Sequence, residues 1–152
     1  MAKQLTADDA RQSLSAHVAS KGTDIFEKYG PHIGWKELQK ILEDRTCVRY
    51  PCTVEFNAGM LQPGEFACPL AKGAKPEDGY MLHVHPMFMT RLDKVPHLVF
   101  YHLVVVNYGE FASPDDAEIF GAAALGLERE DYYQILCEMS DLLGSASPAC
   151  AC

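Results

Sequence analysis

The spacing of apolar residues predicts helices in the first third of the chain. Thr6 is a suitable N-cap, and apolar residues then recur every four positions up to Val18. Gly22 is placed to end this helix, and a second short helical turn after it closes at Gly30. A further helix is predicted to begin at Gly34, with one apolar face made by Trp35, Leu38, Ile41 and Leu42.

The next segment changes to an alternating pattern, which predicts strands. Apolar and polar side chains alternate over residues 48–56, as they do on a strand with one buried face. Pro51 lacks an amide hydrogen, so this strand is expected at a sheet edge or with a bulge. A second short strand is predicted at residues 64–69, and a third begins at Tyr80 and ends its pairing at Pro86.

The longest apolar run, DKVPHLVFYHLVVVNYG at residues 93–109, fits two interpretations. Three consecutive β-branched residues at 104–106 favour a strand. The length of the run, a proline suited to a first helical turn at Pro96 and a terminating Gly109 favour a helix. We predict the helix, with an inner face made by Val95, Leu98, Val99, His102, Val105 and Val106.

Two more helices are predicted near the end of the chain. Ser113 and Pro114 form an N-cap followed by a first-position proline. A final helix is predicted from about Glu128 to a terminator at Gly144, and residues 145–152 predict a flexible tail. The inward residues are predicted to be Ala117, Phe120, Ala124 and Leu125 in the first of these helices, and Ile135, Leu136, Met139 and Leu143 in the second.

These elements together predict an α+β fold in a single globular domain that spans residues 1–144. Helices come first, a small and mainly antiparallel sheet follows at about residues 47–85, and three helices then pack on it. The alternation in the first strand supports a sheet with one covered face and argues against a doubly wound parallel sheet.

Composition and charge narrow the function classes. The chain has 152 residues and a net charge of −8 at pH 7, which argues against binding to nucleic acid or to an anionic membrane surface. The N-terminal stretch lacks the apolar core of a signal peptide, and no run approaches the length of a membrane span, so we expect a cytoplasmic location. The six cysteines lack the dense spacing of a disulfide scaffold and are expected to be thiols.

A His-x-His pair is the sharpest candidate for chemistry. His83 and His85 project to the same face of a strand, so both imidazoles can reach one ion. His102 is the predicted third ligand of a zinc, iron or nickel site, and imidazole suits each of these metals. The alternatives for the third ligand are His97, Glu65, Glu110 and Glu118. In the opposing interpretation, His83 and His85 are partly exposed histidines at a strand end that bind no metal, and His102 is a core residue.

Other catalytic motifs are weak or missing from the sequence. There is no Walker-type or G-x-G-x-x-G phosphate loop and no G-x-S-x-G elbow. A Cys–His hydrolase built on Cys52 or Cys68 has no local support. Asp115 and Asp116 are explained by the positive end of a helix dipole, and the C-x-C tail at residues 150–152 is expected to be inert.

The order of elements resembles that of minimal zincin-like domains, in which the helix after a small sheet carries H-E-x-x-H. The stretch HLVVVNYGEFASPDDAEIFGAAALGL is similar to the family's run from that helix into an alanine-rich one. In this resemblance His102 matches the first histidine, Leu103 replaces the catalytic glutamate and Val106 replaces the second histidine. The third ligand would be Asp116 or Glu118. The resemblance therefore implies a zincin-like scaffold without peptidase activity.

Three function classes follow from these observations. The first is a protein without a catalytic centre that binds a protein partner or a small ligand. The second is a protein that binds a divalent metal through His83, His85 and His102, with or without hydrolase activity. The third is a thiol-dependent activity. We rank them in that order.

Overall fold

Helices precede and follow a small sheet in the computed structural model, which describes residues 6–109 and 112–143. The predicted tail at residues 145–152 and the predicted terminator Gly144 lie outside the described residues. The elements in chain order are α1 (Ala7–Tyr29), α2 (Trp35–Glu43), β1 (Cys52–Phe56), β2 (Ala67–Ala71), β3 (Tyr80–Val84), α3 (Val95–Tyr108), α4 (Pro114–Leu125) and α5 (Arg129–Leu142). The predicted α+β class is confirmed.

The sheet places β3 between β1 and β2. Leu82 at the centre of β3 pairs with Val54 of β1 in parallel and with Pro69 of β2 in antiparallel orientation. The sheet is therefore mixed, whereas a mainly antiparallel sheet was expected. β1 is an edge strand that begins directly after Pro51, in agreement with the missing amide hydrogen of that residue. Residues 48–51 were predicted as strand but lie outside β1.

Helix α1 continues through Gly22, so the prediction that Gly22 ends it is wrong. The reason is tertiary, because α1 crosses α4 at this point. A Cβ atom on Gly22 would lie 2.6 Å from the carbonyl oxygen of Phe120. The glycine is therefore required by the close approach of two helices, and the helix ends at Gly30, which donates its N–H to Phe26. At its start, Thr6 and Asp9 form a capping box.

Helix α3 is the centre of the core and confirms the helical interpretation of the apolar run. It contacts α2, α4, α5 and the strands β2 and β3. Pro96 lies in its first turn and Gly109 ends it with a φ of 68°. Because α3 is covered on nearly all sides, Phe100, Leu103 and Val104 are buried in addition to the predicted face. The prediction for Val105 is wrong, since this side chain is 41% exposed.

Helices α4 and α5 begin at the predicted signals. Ser113 and Asp116 form a capping box at α4, and Arg129 at the start of α5 forms ion pairs with Asp115 and Glu118. Gly121 of α4 lies directly against the ring of Tyr132, so its lack of a side chain allows α4 and α5 to pack closely. Across the described helices, none combines the length and the apolar character that crossing a membrane requires.

Candidate functional site

A cleft of about 900 Å³ lies where the first turns of α1, the last turn of α3 and the start of α4 meet. Residues 49–50 and residues 76–80 close its remaining sides. Its volume is within the range of small-molecule sites in proteins. Its polar and aromatic lining is made by Arg11, Arg49, Tyr50, Tyr80, Asn107, Tyr108, Ser113 and Asp116.

Asn107 positions one wall of the cleft. Its side-chain Oδ1 accepts a hydrogen bond from the backbone N–H of Arg49 at 2.8 Å, and its Nδ2 donates to the carbonyl of Cys47 at 3.2 Å. The amide is buried in the last turn of α3. It therefore ties residues 47–49 to that helix and places the Arg49 side chain at the cleft.

Asp116 supports the cleft at the start of α4. Its Oδ1 accepts a hydrogen bond from the Ser15 hydroxyl at 2.9 Å, which links α1 to α4. Its Oδ2 accepts from the backbone N–H and the hydroxyl of Ser113. The carboxylate is buried, and these bonds occupy both of its oxygens. Its geometry is that of a structural cap and not of a free general base.

The cleft combines positive charge with aromatic surface. Among the described residues, neither Arg11 nor Arg49 pairs with a carboxylate. The Arg49 guanidinium lies over the ring of Tyr50 at 5.5 Å, and the rings of Tyr50 and Tyr80 are 6.2 Å apart. Burial raises the pKa of Tyr108, with Arg49 partly opposing the shift, so its hydroxyl keeps its proton at neutral pH. Cationic and neutral donors therefore face the same space.

The three predicted metal ligands are in different environments. His83 lies on β3, beside Glu55 of β1 and Cys68 of β2 in register, and its Nδ1 is buried with no partner among the described atoms. His85 lies just past the strand, where its Nδ1 accepts from the N–H of Met87 and caps a 3₁₀ turn. Over residues 6–109 and 112–143, no three His, Cys, Asp or Glu side chains are grouped so that they could hold a metal ion.

His102 is enclosed by aromatic residues on α3. Its ring makes edge contacts with Phe66 at 5.8 Å and with Tyr101 at 5.3 Å. Burial lowers the pKa of His102 to about 4, so the ring is neutral at pH 7. Its Nε2 is buried and has no hydrogen-bond partner in the described part of the chain. The site residues are thus located, and metal binding stays a prediction.

The other residues of the zincin-like resemblance have structural roles. Leu103 and Val106 are buried in the core, Asp116 caps α4, and Glu118 accepts a hydrogen bond from Arg129 at 3.2 Å. No general base stands at the position of the family's glutamate, because Leu103 has no ionisable group. The alternative third ligand Glu110 lies outside the described residues.

The thiols differ from activated nucleophiles. Burial raises the pKa of Cys47 and of Cys68, and it raises the pKa of Cys52 to about 12. A nucleophilic cysteine needs a lowered pKa, so these three environments disfavour thiol catalysis. The predicted inert pair Cys150 and Cys152 lies outside the described residues.

Sequence reasoning missed the cleft because its residues are far apart in the chain. Arg11, Arg49 and Tyr108 come from three separate elements and form no local motif. Asn107 alone carried a signal, because it is the one amide within the apolar run that became α3. A buried amide in such a helix needs partners, and a hydrogen bond to a distant loop is one way to supply them.

Comparison of the chain with protein-family models, with curated proteins and with solved structures finds no match. The zincin-like resemblance stays a prediction.

Proposed function

We propose that this protein is a binding protein without peptidase activity, on a zincin-like or other α+β scaffold, whose cleft holds a small organic anion with a flat ring. The observation that carries the proposal is the convergence of two guanidinium groups and three tyrosine rings on one cleft. Arg11 and Arg49 supply the charge, and Tyr50, Tyr80 and Tyr108 supply the rings.

Charge supports an anionic ligand. The chain as a whole has a net charge of −8, yet the arginines of the cleft have no carboxylate partner within the described residues. A guanidinium forms two parallel hydrogen bonds with a carboxylate or phosphate, which makes arginine suited to such ligands. Asp116 is the acid in the cleft lining. Both of its carboxylate oxygens accept hydrogen bonds from Ser15 or Ser113, and these donors offset its negative charge.

The aromatic lining supports a flat group in the ligand. Tyr50 and Tyr80 lie with their rings 6.2 Å apart and an interplanar angle of 44°, close to each other but not stacked face to face. Tyrosine offers a large apolar surface and a hydroxyl, and aromatic contacts add about 0.5–1.5 kcal/mol beyond the burial of area. A ring in the ligand would gain both contributions.

Titration calorimetry with benzoate, phenol and acetate tests the proposal. Benzoate should bind, and phenol and acetate should each bind at least about tenfold more weakly, because each lacks either the charge or the ring. Arg49→Gln should weaken benzoate binding about tenfold. Arg91→Gln is the matched control, since Arg91 is exposed and lies outside the cleft lining. Equal affinities for the three probes, or no binding of any, would refute the proposal.

A second candidate function is binding of a divalent transition metal by His83, His85 and His102, which would have to come closer together than in the described structure, where no three such ligands are grouped. Two buried ring nitrogens favour it, Nδ1 of His83 and Nε2 of His102, which have no partner in the described structure. Elemental analysis of untagged protein purified without chelator tests it, with His83→Ala and His102→Ala alongside. Near-stoichiometric zinc, iron or nickel that both substitutions abolish supports the site, and protein without metal after reconstitution refutes it.

A further inference from the structure

A smaller cavity of about 230 Å³ adjoins the cleft, and we call it the annex. The two share Arg49, Asn107 and Tyr108 as lining residues. The annex is lined in addition by His17, Lys21, Arg45, Thr46 and Cys47. The annex therefore lies directly beside the cleft. Residues 47–49, which are hydrogen-bonded to Asn107, and the end of α3 lie between the two cavities.

Helix α1 passes along both cavities. Arg11 and Leu14 line the cleft, and His17 and Lys21 line the annex. These positions are three or four residues apart, so they lie on one face of the helix. The rise of 1.5 Å per residue places Leu14 and His17 about 4.5 Å apart along the axis. The annex is thus the continuation of the cleft along α1.

The annex is positively charged and has no acidic lining residue among those described. Lys21, Arg45 and Arg49 are cations, and the ring of His17 lies edge-on to Tyr108 at 5.4 Å. One guanidinium nitrogen of Arg45 donates to the carbonyls of Leu42 at 3.1 Å and Val48 at 3.3 Å. Arg45 is thereby held in place by backbone oxygens, and none of these partners is a carboxylate.

Asp44, which is next to Arg45 in the chain and bonded to Thr46 of the annex lining, is already engaged. Asp44 accepts hydrogen bonds from Lys28, Tyr29 and Thr46, and these bonds lower the pKa of its carboxyl well below the usual range. Lys28 is the ion-pair partner of Asp44, so that carboxylate has a counter-ion of its own. The cations of the annex are left to attract a ligand.

We propose that the annex binds the phosphoryl group of a ligand whose flat ring lies in the cleft, so that the ligand class is an aromatic phosphomonoester. This inference rests on the proposed function of the cleft. A phosphomonoester carries close to two negative charges at neutral pH and three acceptor oxygens. Three cations converging on one small cavity match that group better than they match the single charge of a carboxylate.

Calorimetric titration with phenyl phosphate, benzoate and inorganic phosphate tests this assignment. Phenyl phosphate should bind at least about tenfold more tightly than benzoate, and inorganic phosphate should compete with it. Lys21→Gln should weaken phenyl phosphate about tenfold and change benzoate by less than about twofold, because Lys21 lines only the annex. Lys40→Gln, an exposed lysine on α2, is the matched control and should change neither.

A second measurement needs no variant. Cys47 lines the annex, so bound phenyl phosphate should slow its alkylation by N-ethylmaleimide, read by peptide mass spectrometry, while Cys68 should react at an unchanged rate. Benzoate binding that equals phenyl phosphate binding, with no effect of Lys21→Gln and no protection of Cys47, would overturn the phosphoryl assignment and leave the proposed cleft intact. Failure of every aromatic probe to bind would instead overturn the cleft proposal itself.

Discussion

The buried side-chain oxygen of Asn107 accepts a hydrogen bond from the backbone N–H of Arg49 at 2.8 Å, and the two residues are 58 positions apart in the sequence. The same amide donates to the carbonyl of Cys47, so one residue satisfies two backbone groups of the loop before β1. The bond joins the core helix α3 to the wall of the cleft. Stability and ligand binding should therefore depend together on this residue.

Replacing Asn107 with leucine should destabilise the fold and weaken binding. The substitution leaves a backbone N–H and a carbonyl without partners, and each buried unpaired group costs about 1–3 kcal/mol. We expect a loss of about 2–3 kcal/mol in the free energy of unfolding, measured by urea titration. Asn57→Leu is the control, since Asn57 is exposed and its side chain accepts a local hydrogen bond from the N–H of Gly59. Similar losses for both variants would contradict a special role for Asn107.

Gly22→Ala tests the crossing of α1 and α4. In an isolated helix this change is favourable by about 1 kcal/mol, because alanine has the higher helix propensity. Here the new Cβ would lie 2.6 Å from the carbonyl oxygen of Phe120, which forces backbone to move. We expect a net loss of about 2 kcal/mol or more by urea titration, in the range of overpacked sites. Ser20→Ala, at an exposed position of α1, is the control, and a stabilising Gly22→Ala would show that the crossing is looser.

The sequence predicted the elements whose signals are local. Caps at Thr6 and Ser113, the helix of the apolar run and the strand end before Pro86 all depend on neighbouring residues, and the structure has each of them. Gly22 was misread because its role depends on Phe120 of a helix about a hundred residues away. A single sequence does not distinguish a glycine at a helix crossing from a glycine at a helix end.

The candidate site was less accessible to sequence reasoning than the fold. His83 and His85 form a compact motif in the sequence, whereas Arg11 and Arg49 are 38 positions apart and belong to no motif. Their convergence depends on the packing of α1 against α4 and on the Asn107 bond to the loop. Neither relationship has a local pattern. The cleft therefore becomes visible only when the elements are assembled.

Two neighbouring acids of α4 should respond differently to neutralisation. Asp116 is buried and bonded to Ser15 and Ser113, whereas the Asp115 side chain is 75% exposed and pairs with Arg129 at the surface. Asp116→Ala should lower the free energy of unfolding by about 2–3 kcal/mol, because the side-chain half of the capping box and an interhelical bond are both lost.

Asp115→Ala is the matched control, with an expected change below about 1 kcal/mol, as for other surface pairs. Urea titration of the two variants at one pH measures the difference. Equal effects would mean that the bond between Ser15 and Asp116 does not join α1 to α4 in solution. A metal bound by wild-type protein and lost only in Asp116→Ala would instead support the ligand role implied by the zincin-like resemblance.

Acid should destabilise the protein through two partly buried histidines of α3. Burial lowers the pKa of His97 and of His102 to about 4, from an ordinary value of 6.5. Between these pH values the unfolded chain binds protons that the folded protein does not, so stability decreases as pH falls from about 6.5 to about 4. Above this window both rings are neutral in both states, and their contribution to stability is complete.

Urea titrations at pH values from 7.5 down to 4.5 measure this dependence, and His102→Leu isolates one ring. The decrease of the His102 pKa from 6.5 to about 4 corresponds to a total loss of about 3.5 kcal/mol, since one pKa unit is about 1.4 kcal/mol, and about 2–3 kcal/mol of it should be lost by pH 4.5. In His102→Leu the slope of the unfolding free energy against pH should decrease by up to about 1.4 kcal/mol per pH unit, which corresponds to one proton. His32→Leu is the matched control, because His32 is exposed and lies outside α3. An unchanged slope in His102→Leu would mean that the His102 ring is hydrated in the folded protein, because only a desolvated imidazole resists protonation down to such a low pH.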